Sequence, residues 1–269
     1  MDILKRSLAP IVPAAWEEID EQAALALKAA LAGRKAVDVK GPLGWNVDAV
    51  SEGMLSLVEE SPVEDVSYGI RESLPMVEIR VPFTMSMWEL DDISRGSKTI
   101  DFTPVIEAAR KAALFEDTAI FQGLEDAGIL GLELEADNEP VEIKLEDESI
   151  VSSIVNAITT LAGRSMEGPY ALVCSLPLWT KIKTSGKAYP LLKRVKDALG
   201  DDGRIILSPQ YDTCMLVSMK AGNNELIIGQ DFSIGYQSHT NTEVNFYITE
   251  TFTFRVIAPE SIVPFKIVK

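Results

Sequence analysis

Apolar side chains recur every three or four positions near the start of the chain, as they do on one face of an amphipathic helix. The pattern covers residues 13–32 and consists of Trp16, Ile19, Ala23, Leu27 and Leu31. Pro13 suits the first helical turn, where a missing backbone N–H costs nothing, and Gly33 suits the position just after a helix. We therefore predict a helix over residues 13–32.

A longer helix is predicted over residues 103–128. Thr103 can cap its first turn, and Pro104 fits the first helical position. The apolar side of this helix consists of Val105, Ile106, Ala109, Ala112, Ala113, Leu114, Ile120 and Phe121. Its length would be about 39 Å, enough to run along one side of a domain.

Strict alternation of apolar residues predicts a strand between the two helices. The alternating positions are Val77, Ile79, Val81, Phe83, Met85 and Met87. Pro82 cannot donate a hydrogen bond to a neighbouring strand, so the strand should lie at a sheet edge. The mixed, polar residues 46–76 that precede it resemble an extended arm. An arm next to a long edge strand favours pairing with another subunit.

The remainder of the chain mixes helices with short strands, which predicts the α+β fold class. Residues 132–222 form a compact insertion with a helix over 149–162, whereas residues 225–268 are nearly all β. The segments on either side of the insertion would then build a second unit together. We predict a discontinuous two-domain layout with a protruding arm.

Composition and charge restrict the partners of the protein. The 269 residues are 46% hydrophobic and 25% charged, as in a folded chain. With 25 basic and 41 acidic residues the net charge is -16, which disfavours binding to nucleic acid or to anionic membrane surfaces. No apolar run approaches the roughly 18 residues of a membrane span, and no signal peptide is evident. We expect a cytoplasmic protein that binds neither membrane nor nucleic acid.

Few side chains offer catalytic chemistry. His239 lies in the turn-like stretch QSHTNT, and Cys174 and Cys214 lie in apolar strands, where we expect buried thiols. Zinc, di-iron and nucleotide-binding signatures are absent, and the acidic residues 133–148 lack the register of a calcium loop. We expect no catalytic residue, no required cofactor and no metal site. A carboxylate-dependent hydrolase is the less favoured alternative.

Eight stretches, in order along the chain, resemble the encapsulin shell proteins of family 1, which have also carried bacteriocin or linocin labels. They are LKRSLAPI (4–11), LAGRKAVDVKGPLGW (31–45), WELDDISRG (88–96), FEDTAIFQG (115–123), EGPYALV (167–173), YPLLKRV (189–195), GQDFSIGY (229–236) and ITETFTFRV (248–256). They extend from the first residues to the last, so the resemblance covers essentially the whole chain.

This resemblance implies the major-capsid fold of tailed bacteriophages, of the Hong Kong 97 type. Such subunits have a peripheral domain with a spine helix, an extended loop and an axial domain. Here the peripheral domain would comprise residues 1–47, 76–131 and 223–269. The extended loop would be 48–75, and the axial domain 132–222.

The resemblance also implies a function. Encapsulins assemble into icosahedral shells in the bacterial or archaeal cytoplasm, where each nanocompartment encloses a cargo enzyme of the iron-storage or oxidative-stress type. About sixty copies form the smallest shell, and about 180 a larger one. A ferritin-like protein or a dye-decolorising peroxidase is the expected cargo. A major capsid protein of a phage or prophage is the alternative.

Cargo enzymes of this family carry a C-terminal targeting peptide that binds between the N-terminal helix and the peripheral sheet. The matching positions are Leu27, Leu31, Arg34, Asp38 and Ile234. The leucines and Ile234 would supply apolar pockets, while Arg34 and Asp38 would fix the peptide. Leu27 and Leu31 also fit an ordinary core role in an amphipathic helix.

Two further sites are predicted, the first from the same resemblance and the second from Trp88 itself, which breaks the alternation of its strand. The loop TSGKA would line the five-fold pore through Thr184, Ser185, Gly186, Lys187 and Ala188. Lys187 would form a ring of positive charge that favours small anions, or it is simply a solvated lysine. Trp88 would stack a flavin, or it packs at a subunit contact.

Overall fold

The computed structural model describes residues 3–185, 189–209, 211–212 and 214–268. Within these ranges the chain forms two five-stranded sheets and two short two-stranded ribbons. Buried apolar side chains collect in two clusters. The α+β class predicted from the sequence is thus confirmed. No helix in the described part of the chain is long and apolar enough to cross a membrane.

The predicted helices and the predicted edge strand all occur, but Met87, predicted as the last alternating residue of that strand, begins a helix instead. The helices are α1 (Pro13–Ala30), α2 (Met87–Ser94), α3 (Thr103–Phe121), α4 (Leu132–Glu135), α5 (Asp147–Gly163), α6 (Leu176–Thr184) and α7 (Leu191–Leu199). The strands are β1 (Asp38–Lys40), β2 (Ala49–Leu57), β3 (Gly69–Pro75), β4 (Val77–Ser86), β5 (Gly123–Leu124), β6 (Ile129–Leu130), β7 (Val141–Lys144), β8 (Tyr170–Cys174), β9 (Arg204–Leu207), β10 (Met215–Ser218), β11 (Asn224–Ile228), β12 (Ser233–His239), β13 (Glu243–Val256) and β14 (Ile262–Val268).

The long helix α3 ends earlier than the predicted residue 128. Its last residue is Phe121, and the chain then turns through the short ribbon of β5 and β6. Gly123 has φ +93°, and a Cβ there would lie 2.6 Å from the carbonyl oxygen of Ile129. Only glycine fits this turn, so the helical pattern cannot continue through it.

The first sheet is organised around β13, which pairs with β4, β11 and β12, while β1 pairs with β11. Among the described strands β4 pairs with β13 alone, and Pro82 lies opposite Tyr247. The prediction of an edge strand is therefore confirmed. Trp16 of α1 packs edge-on against Phe246 of β13 at 5.2 Å between ring centroids, which anchors the helix to the sheet.

Helices α1 and α3 pack against each other over this sheet. The face of α3 that is buried here consists mainly of small side chains: Ala108, Ala109, Ala112, Ala113 and Ala119. Small residues at a contact allow two helices to approach closely. Both predicted amphipathic helices therefore bury the faces that their apolar patterns indicated.

The second sheet has the order β7-β14-β10-β8-β9. Its cluster of apolar side chains includes residues of α5, α6 and α7. Cys174 and Cys214 are buried free thiols beside this sheet, as predicted. Burial raises the pKa of both thiols, which keeps them protonated.

The last strand departs from the predicted layout. Residues 223–269 were assigned to the first unit, but β14 pairs with β7 and β10 of the second sheet. Val263 and Phe265 belong to the second apolar cluster. The prediction is wrong for this strand, because the apolar pattern of a strand does not specify which sheet it joins.

Residues 48–75, predicted as an extended loop, contain the two-stranded ribbon of β2 and β3, which pair with each other and with neither large sheet. Arg255 fixes its base: the guanidinium bonds to Glu225 at 2.7 Å and donates to the carbonyl of Ser51 at 3.3 Å. Several large apolar side chains of this segment are at least half exposed: Met54, Leu55, Leu57, Val63, Val66 and Ile70.

A buried carboxylate joins α1 to α3. Asp117 of α3 accepts hydrogen bonds from the backbone N–H groups of Ala32 and Gly33, at 2.8–3.2 Å, just after α1 ends. Burial raises the pKa of Asp117 to about 7, although these backbone donors lower it. In the unfolded chain the pKa of the same carboxyl is near its ordinary value of 3.8. Folding therefore favours the protonated form.

Asp117→Asn should change how stability depends on pH. A raised folded-state pKa means that stability is present below about pH 4 and is lost as pH rises to about 7. The Asn side chain does not titrate. The unfolding temperature of the variant, relative to the natural protein, should therefore rise between pH 4 and 7 and level off above. Differential scanning calorimetry at several pH values measures this, with the exposed Glu107→Gln on α3 as control. A pH-independent difference would contradict the assignment.

Candidate functional site

A groove of about 330 Å³ lies between α1 and the strands β12 and β13. It is lined by Leu4, Arg6, Asp20, Ala23, Ala24, Leu27, Phe232, Ser233, Ile234 and Ile248. The small side chains of Ala23 and Ala24 leave room above the sheet, and Leu27 and the two isoleucines form an apolar floor. The volume suits a few apolar side chains of a peptide rather than a large ligand.

Two of the five predicted contact residues meet in this groove. Leu27 comes from α1 and Ile234 from β12, so residues 207 positions apart in the sequence line the same cavity. Both are largely buried, at 9% and 4% exposure, and therefore serve the core as well as the groove. Leu31 follows the end of α1, is 7% exposed and does not line the cavity.

Arg34 lies next to the groove and is engaged by acidic side chains. Its Nε atom donates to Glu116 of α3 at 2.8 and 3.0 Å, and its Nη2 atom contacts Glu250 of β13 at 2.5 Å. The same Nη2 is 3.0 Å from Asp231. The guanidinium carbon also lies 4.8 Å from the ring centroid of Phe232, which lines the groove. Arg34 therefore shapes the groove through Phe232.

Three carboxyl groups surround the single positive charge of Arg34. Glu116 and Glu250 are fully buried, and Asp231 adds a third, half-exposed carboxyl. Burial raises the pKa of Glu250 well above its usual range, the charge of Glu116 raises it further, and Arg34 opposes both. Burial alone would lower the pKa of Arg34, but these carboxylates raise it overall, so Arg34 stays a cation. Burial and the neighbouring carboxylate therefore favour the protonated form of Glu250, whereas Arg34 favours the charged form.

The structure places Asp38 away from the groove lining. It begins β1 and accepts a hydrogen bond from the backbone N–H of Gly222 at 2.5 Å. Its position ties β1 to the turn before β11. Of the five predicted residues, Leu27 and Ile234 thus line the cavity and Arg34 contacts its lining through Phe232, whereas Leu31 and Asp38 do not line it.

Several lining residues were missed from the sequence. Phe232 comes two positions before Ile234, just ahead of the first residue of β12, so its closeness in sequence to Ile234 was the available signal. Ala23 and Ala24 are adjacent small residues on a helix, which create space but carry no chemical signature. Arg6 and Asp20 form an ion pair at 2.6 Å at the rim, and their separation in sequence hid that contact.

Of the two other predicted sites, the pore loop is only partly described by the structure. Thr184 ends α6, and Ser185 donates a hydrogen bond to Asp147 at 2.5 Å. Gly186, Lys187 and Ala188 lie outside the described residues, so the pore ring stays a prediction. Trp88 lies in the first turn of α2 and is 68% exposed. The flavin at Trp88 therefore stays a prediction.

This chain is similar in sequence to a known protein family and to individual proteins. A family model described as "Encapsulating protein for peroxidase" matches residues 1–253. A "Type 1 encapsulin shell protein" of Rhodospirillum rubrum is 38% identical over 99% of this chain and 97% of its own length. One from Rhodococcus erythropolis is also 38% identical, over 98% and 99% respectively.

Solved structures agree in fold. A virus-like particle from Pyrococcus furiosus superposes with a TM-score of 0.66 at 17% identity, over 93% of this chain and 98% of its own. The capsid of Myoviridae phage XM1 gives 0.54 at 12% identity, over 85% and 90%. The fold is thus that of the tailed-phage major capsid proteins, as predicted. With near-complete matches in sequence and in family pattern, the chain belongs to the encapsulin shell proteins.

Proposed function

We propose that this protein assembles into a closed icosahedral shell and retains a cargo enzyme by binding the C-terminal peptide of that enzyme in the α1–β12 groove. The observation that carries the proposal is the groove itself, which combines an apolar floor with a charged rim. The expected assembly has about sixty copies, or about 180 in a larger shell. The expected cargo is a ferritin-like protein or a dye-decolorising peroxidase.

The chemistry of the groove suits an extended peptide tail. Leu27, Ile234 and Ile248 offer apolar contacts, and the Arg6–Asp20 pair offers polar ones at the rim. Phe232 adds an aromatic wall that Arg34 holds in place. A short peptide gains affinity from a few anchoring side chains in such pockets. The relatives' family description, which names a peroxidase, supports an enzyme as the enclosed partner.

Assembly is supported by the β2–β3 ribbon. Leu57 is 75% exposed and Ile70 63% exposed, on a ribbon that packs into neither large sheet. A two-stranded ribbon is marginally stable alone, and exposed apolar side chains gain free energy when another surface covers them. A neighbouring subunit is the proposed cover. Such contacts join different surfaces of the two subunits, and a ring or shell of copies satisfies them all.

We assign no reaction to the chain itself. Both thiols are buried with raised pKa values. The single histidine, His239, is exposed at the end of β12 and bonds through Nδ1 to the hydroxyl of Tyr236 at 2.5 Å. The thiol of Cys214 donates to the buried hydroxyl of Ser175 at 3.1 Å, so it too is held inside the fold. The proposed chemistry therefore belongs to the enclosed enzyme.

Leu57→Asp should prevent assembly while leaving the subunit folded. The aspartate would place a charge in the proposed subunit contact, where desolvating it costs several kcal/mol. Light scattering should show small species in place of particles, with an unchanged far-ultraviolet circular dichroism spectrum. Leu134→Asp, at 69% exposure on α4, is the matched control and should still assemble. Normal particles from Leu57→Asp would contradict the role of the ribbon.

Ala24→Phe should fill the groove and abolish cargo retention. Ala24 is exposed on α1 and lines the groove, so a phenyl ring there occupies peptide space without entering the core. The probe is a library of green fluorescent protein fused to random C-terminal decapeptides, co-expressed with the shell protein. The natural shell should retain fusions whose tails carry spaced apolar residues, and mass spectrometry of purified particles reads those tails.

The control for this experiment is Ala29→Phe, also exposed on α1 but lining a different surface cavity, next to Arg110 and Pro209. It should retain the same tails as the natural shell. Equal retention by all three proteins would show that the groove does not bind cargo.

A further inference from the structure

The N-terminal segment Ile3–Arg6 lies along the groove. Leu4 and Arg6 both line it. The carbonyl of Leu4 accepts a hydrogen bond from the backbone N–H of Tyr236 at 2.8 Å. The carbonyl of Ile3 accepts one from the hydroxyl of Tyr247 at 3.4 Å. The segment is thus attached to β12 and β13 beside the groove.

The same segment is attached to α1 on its other side. Arg6 forms a two-pronged ion pair with Asp20, at 2.6 and 3.1 Å. Its guanidinium carbon also lies 4.0 Å from the ring centroid of Trp16, a stacking contact that adds to the ion pair. With contacts to both walls, the segment bridges the helix and the sheet.

The strand β12 offers backbone groups along the groove. The backbone N–H of Tyr236 points away from β13 and toward Leu4. Tyr236 and its cross-strand partner Phe246 therefore form a non-hydrogen-bonded pair. Such pairs alternate in an antiparallel ladder. The register is regular between Ser233 and Tyr236, so Ile234 also directs its N–H and C=O away from β13. Those groups lie where the side chain of Ile234 meets the groove.

We infer that Ile3–Arg6 is a fixed end stop of the groove, and that a bound cargo tail extends along the free edge of β12 up to Leu4. This inference rests on the proposed function and specifies the mode of binding. The tail pairs with Ile234 through its backbone, and alternate side chains enter the apolar floor. The side chain of Leu4 limits the size of the tail residue nearest Tyr236.

The size limit is tested with the same library of decapeptide fusions and four shells: the natural protein, Leu4→Ala, Leu4→Phe and Leu8→Ala. Leu8 lies two residues beyond the segment, is 64% exposed and does not line the groove. Leu4→Ala should enrich tails with Phe or Trp at one fixed position by about ten-fold, the usual size of such pocket effects. Leu4→Phe should shift that position toward Ala or Gly. Leu8→Ala should match the natural shell.

A second readout tests the backbone pairing. Hydrogen exchange with residue-level fragmentation should show slower exchange of the Ile234 amide in shells loaded with an enriched fusion than in empty shells. The exchange of Tyr236, already bonded to Leu4, should change little. Identical tails from all four shells, or an unprotected Ile234 amide in loaded shells, would overturn the inference. Failure of the proposed function looks different, because the natural shell would then assemble and retain no tail at all.

Discussion

Arg34 connects four parts of the chain that are distant in sequence. It follows α1, bonds to Glu116 of α3 and to Glu250 of β13, and contacts Asp231 and the ring of Phe232 before β12. Breaking a buried ion cluster by removing one member costs about 3–5 kcal/mol, because a charge is left without its partner. The relative positions of the two helices, the first sheet and the groove wall all depend on this contact.

The proposed assembly contact and the proposed cargo groove lie in separate parts of the subunit. The β2–β3 ribbon carries the exposed apolar residues of the proposed subunit contact, and its base is held by Arg255 and Glu225. The groove lies between α1 and β12 and is shaped by Arg34, Phe232 and the N-terminal segment. Because the two surfaces share no residue, a shell can tolerate changes in its cargo preference without losing its architecture.

The sequence predicted the positions of the helices and strands better than it predicted which strands pair with one another. Periodicity located α1, α3 and the edge strand β4, because each buries one regular face against the core. The predicted helix extended beyond Phe121, the last residue of α3, because the apolar spacing continues through the turn at Gly123. Strand β14 was also assigned to the wrong sheet, because strand patterns do not encode pairing. For the groove, the resemblance indicated Leu27 and Ile234. Phe232, Ala24 and the Arg6–Asp20 ion pair at the rim were identified only from the three-dimensional structure.

The central claim is that the chain builds a closed shell, and the mass of the purified particle tests it most directly. Size-exclusion chromatography with multi-angle light scattering, followed by negative-stain imaging, measures mass and shape together. With a subunit of 29.4 kDa, sixty copies give a uniform sphere of about 1.8 MDa, and the larger shell about three times that. A monomer or small oligomer that persists at high protein concentration would contradict the account.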